Sequence, residues 1–138
     1  MLEKLNQLEF YAQNPPKSLG REWVDKNFLP IMEKSNLPVQ DQLRTAYEHI
    51  ALQIAKAAPA SGKMLVTGGG AFNSFLMERL RQHLKCEIVI PSSEIINYKE
   101  ALVFAFLGLL RHLGEINCYS SVTGAKRDSS TGEIYSSS

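Results

Sequence analysis

Along the chain the apolar residues change their spacing, and each change marks an element. Leu2, Leu5, Leu8 and Tyr11 recur at helical intervals, which predicts a short helix over Met1–Gln13 ended by Asn14-Pro15-Pro16. Ser18 is placed to cap a second helix through Trp23 and Phe28 toward Met32, with Pro30 and Pro38 breaking the next segment into turns. From Gln42 to Ala58, the residues Leu43, Ala46, Tyr47, Ile50, Ala51 and Ile54 hold the spacing of one packed face, with Asp41 as the expected cap. His49 falls one step off that stripe and reads as a structural histidine. The period then shortens. Met64-Leu65-Val66 suits a buried strand, and Cys86-Glu87-Ile88-Val89-Ile90 suits a second. Between them Leu76, Leu80 and Leu84 repeat every fourth residue. They give one face of a helix that starts near Ser74, capped by Asn73 and stapled by Phe72 to Met77. Pro91-Ser92-Ser93 is a turn, after which Asn97-Tyr98-Lys99-Glu100 opens the most apolar helix. It ends near His112 and Gly114 and is expected to be largely buried. Strand, helix, strand, helix in this order implies a βαβ unit with a parallel pair and a central strand at Met64–Thr67. In the tail, Ser121–Gly124 and Gly132–Tyr135 are candidate edge strands or a hairpin, and the last three serines are expected to fray.

Composition narrows the class. The chain has 138 residues, 44% hydrophobic and 21% charged, as for one soluble globular domain. A net charge of +1 with scattered basic residues argues against a nucleic-acid partner. Cys86 and Cys118 lack metal-ligand spacing and read as reduced thiols in a cytoplasmic protein, with no metal expected on side chains. Glu3 and Lys4 interrupt any cleavable signal, and the apolar run from Ala101 to Leu110 is too short to span a bilayer, so no membrane association is expected. Two features do not suit a free-standing domain. The chain opens in a helix, and a parallel pair of strands is normally part of a larger sheet.

Candidate chemistry centres on Gly68, Gly69 and Gly70 between the first strand and the Asn73-capped helix. Glycines there allow positive φ and close approach, while free N–H groups at a helix start, aided by the helix dipole, favour an anion, most often phosphate. The same glycines also serve as a plain strand-to-helix turn. Two familiar phosphate motifs fail: the dinucleotide fingerprint wants glycine where Asn73 stands, and Gly62-Lys63 has Met64 and Ala57 where a P-loop needs Ser/Thr and glycine. Glu100, with Asn97, has capping-box spacing, and an acid in a first helical turn also suits the dipole.

Four segments share one further property. Pro15-Pro16-Lys17-Ser18-Leu19-Gly20-Arg21-Glu22, Val66-Thr67-Gly68-Gly69-Gly70-Ala71-Phe72-Asn73, Lys99-Glu100-Ala101-Leu102-Val103-Phe104-Ala105 and Ser121-Val122-Thr123-Gly124-Ala125 together resemble, in this order, the C-terminal part of anhydro-N-acetylmuramic acid kinases. The resemblance covers nearly the whole chain. It implies an α/β fold, the ribonuclease-H-like C-terminal lobe of an actin-like ATPase, incomplete without its N-terminal lobe. Residues 1–138 would form that single lobe: 1–40 a helical lobe-boundary segment, 41–113 a helix-βαβ-helix core, and 114–138 a Ser/Gly-rich tail. Members of the family use ATP, with Mg2+ on its phosphates, and water to open 1,6-anhydro-N-acetylmuramic acid and phosphorylate its 6-position, for peptidoglycan recycling.

The resemblance places Gly68, Gly69 and Gly70 on the nucleotide, with Thr67 and Asn73 as further contacts, and Glu100 at the sugar. Lys17, Ser18, Arg21, Thr123 and Gly124 would lie at the lobe boundary or cleft, where the competing reading is capped helices and turns. No catalytic residue is expected in this chain, because the DxGT phosphate loop and the aspartate base belong to the N-terminal lobe. That lobe is the implied partner, and the reading leaves room for a homodimer. Leu19 stands where the family usually has Thr, and Asn97 where an acid is common. The alternative function is a non-catalytic module that binds a partner through the surface a missing half would cover. A third reading, a dinucleotide-binding oxidoreductase fragment, is disfavoured by Asn73 and by Val89-Ile90-Pro91, which ends the second strand without an acid.

Overall fold

The structure, a computed structural model, describes residues 1–14 and 17–135. The expected stop at Pro15-Pro16 and the expected fraying of 136–138 lie outside the described residues. The chain divides into two compact units, Met1–Pro91 and Ser92–Ser138. Each is described by itself.

The first unit opens with two short helices, α1 (Leu2–Asn6) and α2 (Glu9–Ala12), rather than one. Leu8 leaves the helical region, at φ −58° and ψ 130°, and separates them. Leu5 is fully buried from α1. A continuous helical stretch follows as α3 (Arg21–Trp23), a π-helical segment (Val24–Phe28) and α4 (Leu29–Glu33). Pro30 was expected to break the chain and does not. Proline clashes with the carbonyl four residues back, and the wider π turn in front of it relieves that constraint. Ser18 does not cap this stretch. Gly20 precedes it, and no side chain caps the amides.

Helix α5 (Val39–Ala57) starts earlier than the periodicity predicts, behind Pro38, and Asp41 sits in its first turn instead of capping it. Its buried residues are Ala46, His49 and Ala51, while Leu43, Ile50 and Ile54 stay 50%, 38% and 36% exposed. The reading of His49 as off the packed face is therefore corrected. The helix has neighbours on two sides, α1 on one and the βαβ unit on the other, so the single-stripe rule misassigns its flanks.

The βαβ unit is present as predicted, in smaller form. β1 (Lys63–Leu65) and β2 (Glu87–Val89) are parallel, with Lys63 opposite Glu87, Met64 opposite Ile88 and Leu65 opposite Val89. Among the described residues the sheet has these two strands alone, so the expected central position of the first strand does not appear. Helix α6 (Ser74–His83) connects them; of the fourfold repeat Leu80 is buried while Leu76 and Leu84 are half-buried, and Met77, outside the repeat, is buried beside Leu80. Ala51, Met77 and Leu80 form the core, and Val66, Leu76, Leu84 and Ile88 pack around it. Phe72 remains 57% exposed, so the expected staple over Met77 does not bury it.

The second unit is built on α7 (Ser93–His112). It begins four residues before the expected Asn97, so Asn97 and Glu100 lie inside the helix and form no capping box. The start signal is instead Ser92-Ser93-Glu94, where the serine hydroxyls and the Glu94 backbone hydrogen-bond the Glu94 carboxylate and hold its pKa below the ordinary value. Only Ile96 is buried on this helix, while Leu102, Phe104 and Phe106 are 71%, 71% and 57% exposed and Leu107 is half-buried. The expectation of a largely buried helix is thus not met among the described residues. The tail is tied back to α7 by polar side chains. Asn117 Nδ2 donates to Leu107 O (3.2 Å) and Thr131 O (3.0 Å), and Arg111 Nε donates to Gly132 O (2.8 Å). Ser121–Gly124 is no strand. It forms the last residues of a helical turn, α8 (Ser120–Thr123), closed by Gly124 in the left-handed region at φ +72°. Among the described residues of the tail an antiparallel bridge joins Cys118 to Ser129, not the segments expected, and Gly132–Tyr135 is irregular.

Candidate functional site

The glycine loop takes its form from three local choices. Gly68 sits at φ +84°, a conformation costly for any L side chain, and turns the chain out of the strand. Gly69–Phe72 then winds one 3-10 turn, in which the Ala71 amide donates to Gly68 O (3.0 Å) and the Asn73 amide to Gly70 O (3.1 Å). Asn73 caps α6 as predicted, its Oδ1 accepting from the Leu76 amide at 2.9 Å. Of the three glycines only Gly68 needs positive φ. A Cβ on Gly69 would meet nothing within 4 Å, and one on Gly70 only Leu76 Cδ2 at 3.8 Å. Gly69 and Gly70 are exposed, and the first amides of a helical turn lack intrahelical acceptors. The loop is therefore an open backbone surface of donors beside the start of α6. Backbone donors of this kind can take an anion. Thr67 links the strand end to Gly68 and is half-buried. Asn73 retains its amide donors, because the cap uses only Oδ1.

The other candidate residues of the first unit make contacts of their own. Lys17 spends its ammonium on the end of α2, donating to Phe10 O (3.0 Å), Gln13 O (3.0 Å) and, more weakly, Tyr11 O (3.5 Å), and it lies 4.9 Å over the Phe10 ring. Arg21 pairs with Asp25 one turn on, at 3.2 Å and in full view of solvent. Ser18 is exposed. Glu100, Thr123 and Gly124 belong to the second unit, Glu100 exposed on α7. Thr123 Oγ1 donates to Tyr119 O (3.0 Å) within α8. Asp128 caps that helix, accepting from the Ser120 amide (2.7 Å) and hydroxyl (2.6 Å), and these bonds hold its carboxyl below the ordinary range.

The periodicity missed one cluster. Glu48 on α5 accepts from Arg79 Nε (2.6 Å) and pairs with His83 Nε2 (2.7 Å), both on α6. The Arg79 hydrogen bond, followed by that from His83, holds the Glu48 carboxyl below its ordinary pKa. The cluster fixes the helix that presents the glycine loop against α5. Charged residues at these positions read in sequence as a solvated face, and nothing short of helix pairing tells otherwise.

Residues 1–137 match the family described as anhydro-N-acetylmuramic acid kinase. The chain belongs to that family. Similar relatives carrying the same description include those of Saccharophagus degradans, 31% identical over 98% of this chain, and Vibrio vulnificus strain CMCP6, 35% identical over 99%. A third, from Mannheimia succiniciproducens, is 37% identical over 91% of the chain. The chain spans 39%, 39% and 38% of the lengths of these relatives. The anhydro-N-acetylmuramic acid kinase match covers both the glycine loop and α7.

Proposed function

We propose that the chain is the C-terminal, nucleotide-binding lobe of an ATP-dependent kinase that converts 1,6-anhydro-N-acetylmuramic acid to N-acetylmuramic acid 6-phosphate in the cytoplasm. One observation carries the reading: in a chain that matches the family along residues 1–137, Gly68 turns the chain out of the strand at positive φ, and Gly69 and Gly70 follow as exposed residues before an Asn73-capped helix. The lobe supplied by the rest of such a protein, ribonuclease-H-like as this one would be, would carry the first phosphate loop and the base aspartate. Phosphoryl transfer needs chiefly positioning and charge stabilisation. In this lobe, backbone donors of the loop hold phosphate oxygens, and the Asn73 amide and Thr67 orient the nucleotide. Glu100, fixed on α7, hydrogen-bonds the sugar. Mg2+ neutralises phosphate charge when bound and requires few protein ligands. No catalytic base is assigned to this chain.

The test uses the full-length kinase. Gly69→Val adds a side chain where no protein atom lies within 4 Å and where φ is not positive, so the fold should tolerate it while an approaching phosphate should not. The expected result is at least a tenfold loss of Mg-ATP affinity by calorimetry, with an unchanged thermal midpoint. Unchanged affinity returns the glycines to a plain turn. The 138-residue chain alone should not phosphorylate the sugar. Turnover by the isolated chain near the rates usual for kinases, about 1–100 s−1, would end the half-protein reading.

The exposed apolar residues of α7 favour the second reading as well, a partner-binding module without catalysis. Supplying the remaining part of a family member in trans separates the two. Restored phosphorylation supports the kinase lobe, and stable association without it supports the module.

A further inference from the structure

In the first unit an open cavity of about 310 Å³ is lined by Leu2 of α1, by Arg44, Thr45 and Glu48 of α5, and by Arg79 of α6. The lining is net positive, with two guanidinium groups against one carboxylate. That carboxylate is already spent. Glu48 Oε2 accepts from Arg79 Nε at 2.6 Å, and Oε1 pairs with His83 Nε2 at 2.7 Å. The Thr45 hydroxyl is spent as well, donating to Asp41 O at 2.7 Å. The guanidinium groups are not. Arg79 gives Glu48 its Nε, and its Nη groups make no hydrogen bond among the described residues. Arg44 makes no hydrogen bond or ion pair among the described residues, although Asp41 and Glu48 lie a turn before and a turn after it on α5. Arginine keeps its charge throughout the pH range of folded proteins and offers its N–H donors as a planar fork. The Arg79 and Glu48 side chains keep only 19% and 21% of their surface in water, so charge at this wall is screened less than on an open surface.

We propose that this cavity binds an oxyanion of the phosphate class, taken by Arg44 and by the Nη donors of Arg79. Guanidinium forks match phosphate oxygens in geometry and make charge-assisted hydrogen bonds to them. Glu48 holds Arg79 through Nε and opposes the anion by its charge. Glutamine in its place would keep an acceptor for Nε and remove the opposition. The proposal is independent of the nucleotide reading, since it uses none of the loop residues.

The probes are inorganic phosphate and methyl phosphate, titrated into the whole nitrogen-15-labelled chain at an ionic strength held constant with sodium chloride. The side-chain resonances of Arg44 and Arg79 should shift together and saturate with one dissociation constant, and the tighter of the two probes names the source, free ion or phosphomonoester. Gly69→Val, which crowds the glycine loop, should leave these shifts unchanged, so a failure there and a failure here are distinguishable. Arg44→Gln, at an exposed position, should weaken binding about tenfold, and Glu48→Gln should strengthen it about twofold. Shifts that do not saturate, shifts that chloride alone reproduces, or equal affinity in Arg44→Gln would each overturn the proposal. So would weaker binding in a folded Glu48→Gln chain, because a purely structural cluster loses order there and gains no affinity. The wild-type resonances and Arg44→Gln decide the matter whether or not Glu48→Gln folds.

Discussion

Helices α6 and α7 are both rich in apolar residues, and they end in opposite environments. On α6 the apolar residues form one stripe, and Met77 and Leu80 are buried against Ala51. On α7 they occur all round, and Leu102, Phe104, Phe106 and Leu109 remain more than half exposed. A stripe specifies a direction, so a small unit holding one strand pair and one partner helix can satisfy it. An all-round apolar surface needs cover on every side, more than the 47 residues of the second unit, Ser92–Ser138, supply. The comparison teaches that apolar content predicts a demand for burial, while periodicity predicts whether nearby chain can meet it.

The largest expected effect tests that contrast. Leu80→Ala should destabilise the protein by about 2–5 kcal/mol through lost burial and a residual cavity, whereas Phe104→Ala should change stability by less than about 0.5 kcal/mol. Urea unfolding of both variants is the measurement, and equal losses would erase the distinction between the two helices. A smaller effect separates the glycines. Gly68→Ala forces a Cβ into the left-handed region and should cost about 1–2 kcal/mol, while Gly108→Ala in α7, where a Cβ meets nothing within 4 Å, should stabilise by about 0.5–1 kcal/mol. Thermal unfolding should show shifts of opposite sign, and a loss at Gly108 would mean that something packs against that face of α7.

The smallest effect concerns the tie between α5 and α6. Glu48 has a folded pKa below its unfolded one, so its stabilisation is complete above the unfolded carboxylate value and is lost as pH falls through the folded value. Wild-type stability should therefore decline on the acid side of the ordinary carboxylate range, and Glu48→Gln should flatten that limb. Denaturation midpoints measured from neutral pH downward would check this. An identical acid limb in the variant would show that the pair, whose side chains keep about a fifth of their surface in water, adds nothing measurable.

Much of the first unit is legible in the sequence. The leucine repeat of α6, the Asn73 cap and the parallel order of two short strands follow from local periodicity and from one capping side chain, which act within a few residues. The errors have physical causes of equal clarity. His49 was placed off the packed face because a helix with neighbours on two sides carries two overlapping stripes. Pro30 was read as a breaker because a π turn ahead of it is not visible in composition. The start of α7 was set at Asn97, although Ser92-Ser93-Glu94 carried the better signal.

For the candidate site, the sequence alone determined that a glycine turn joins a strand to a capped helix, because strand period, glycine and N-cap are properties of neighbouring residues. Only the tertiary structure decided that Gly68 alone takes positive φ, that the Lys17 ammonium is spent on carbonyls, and that Asn6 orients a buried His49 with one bare nitrogen. The last outcome depends on which groups meet across 43 residues of chain, as Asn6 and His49 do, and the first two on the path the backbone takes through a turn. Local pattern carries neither quantity.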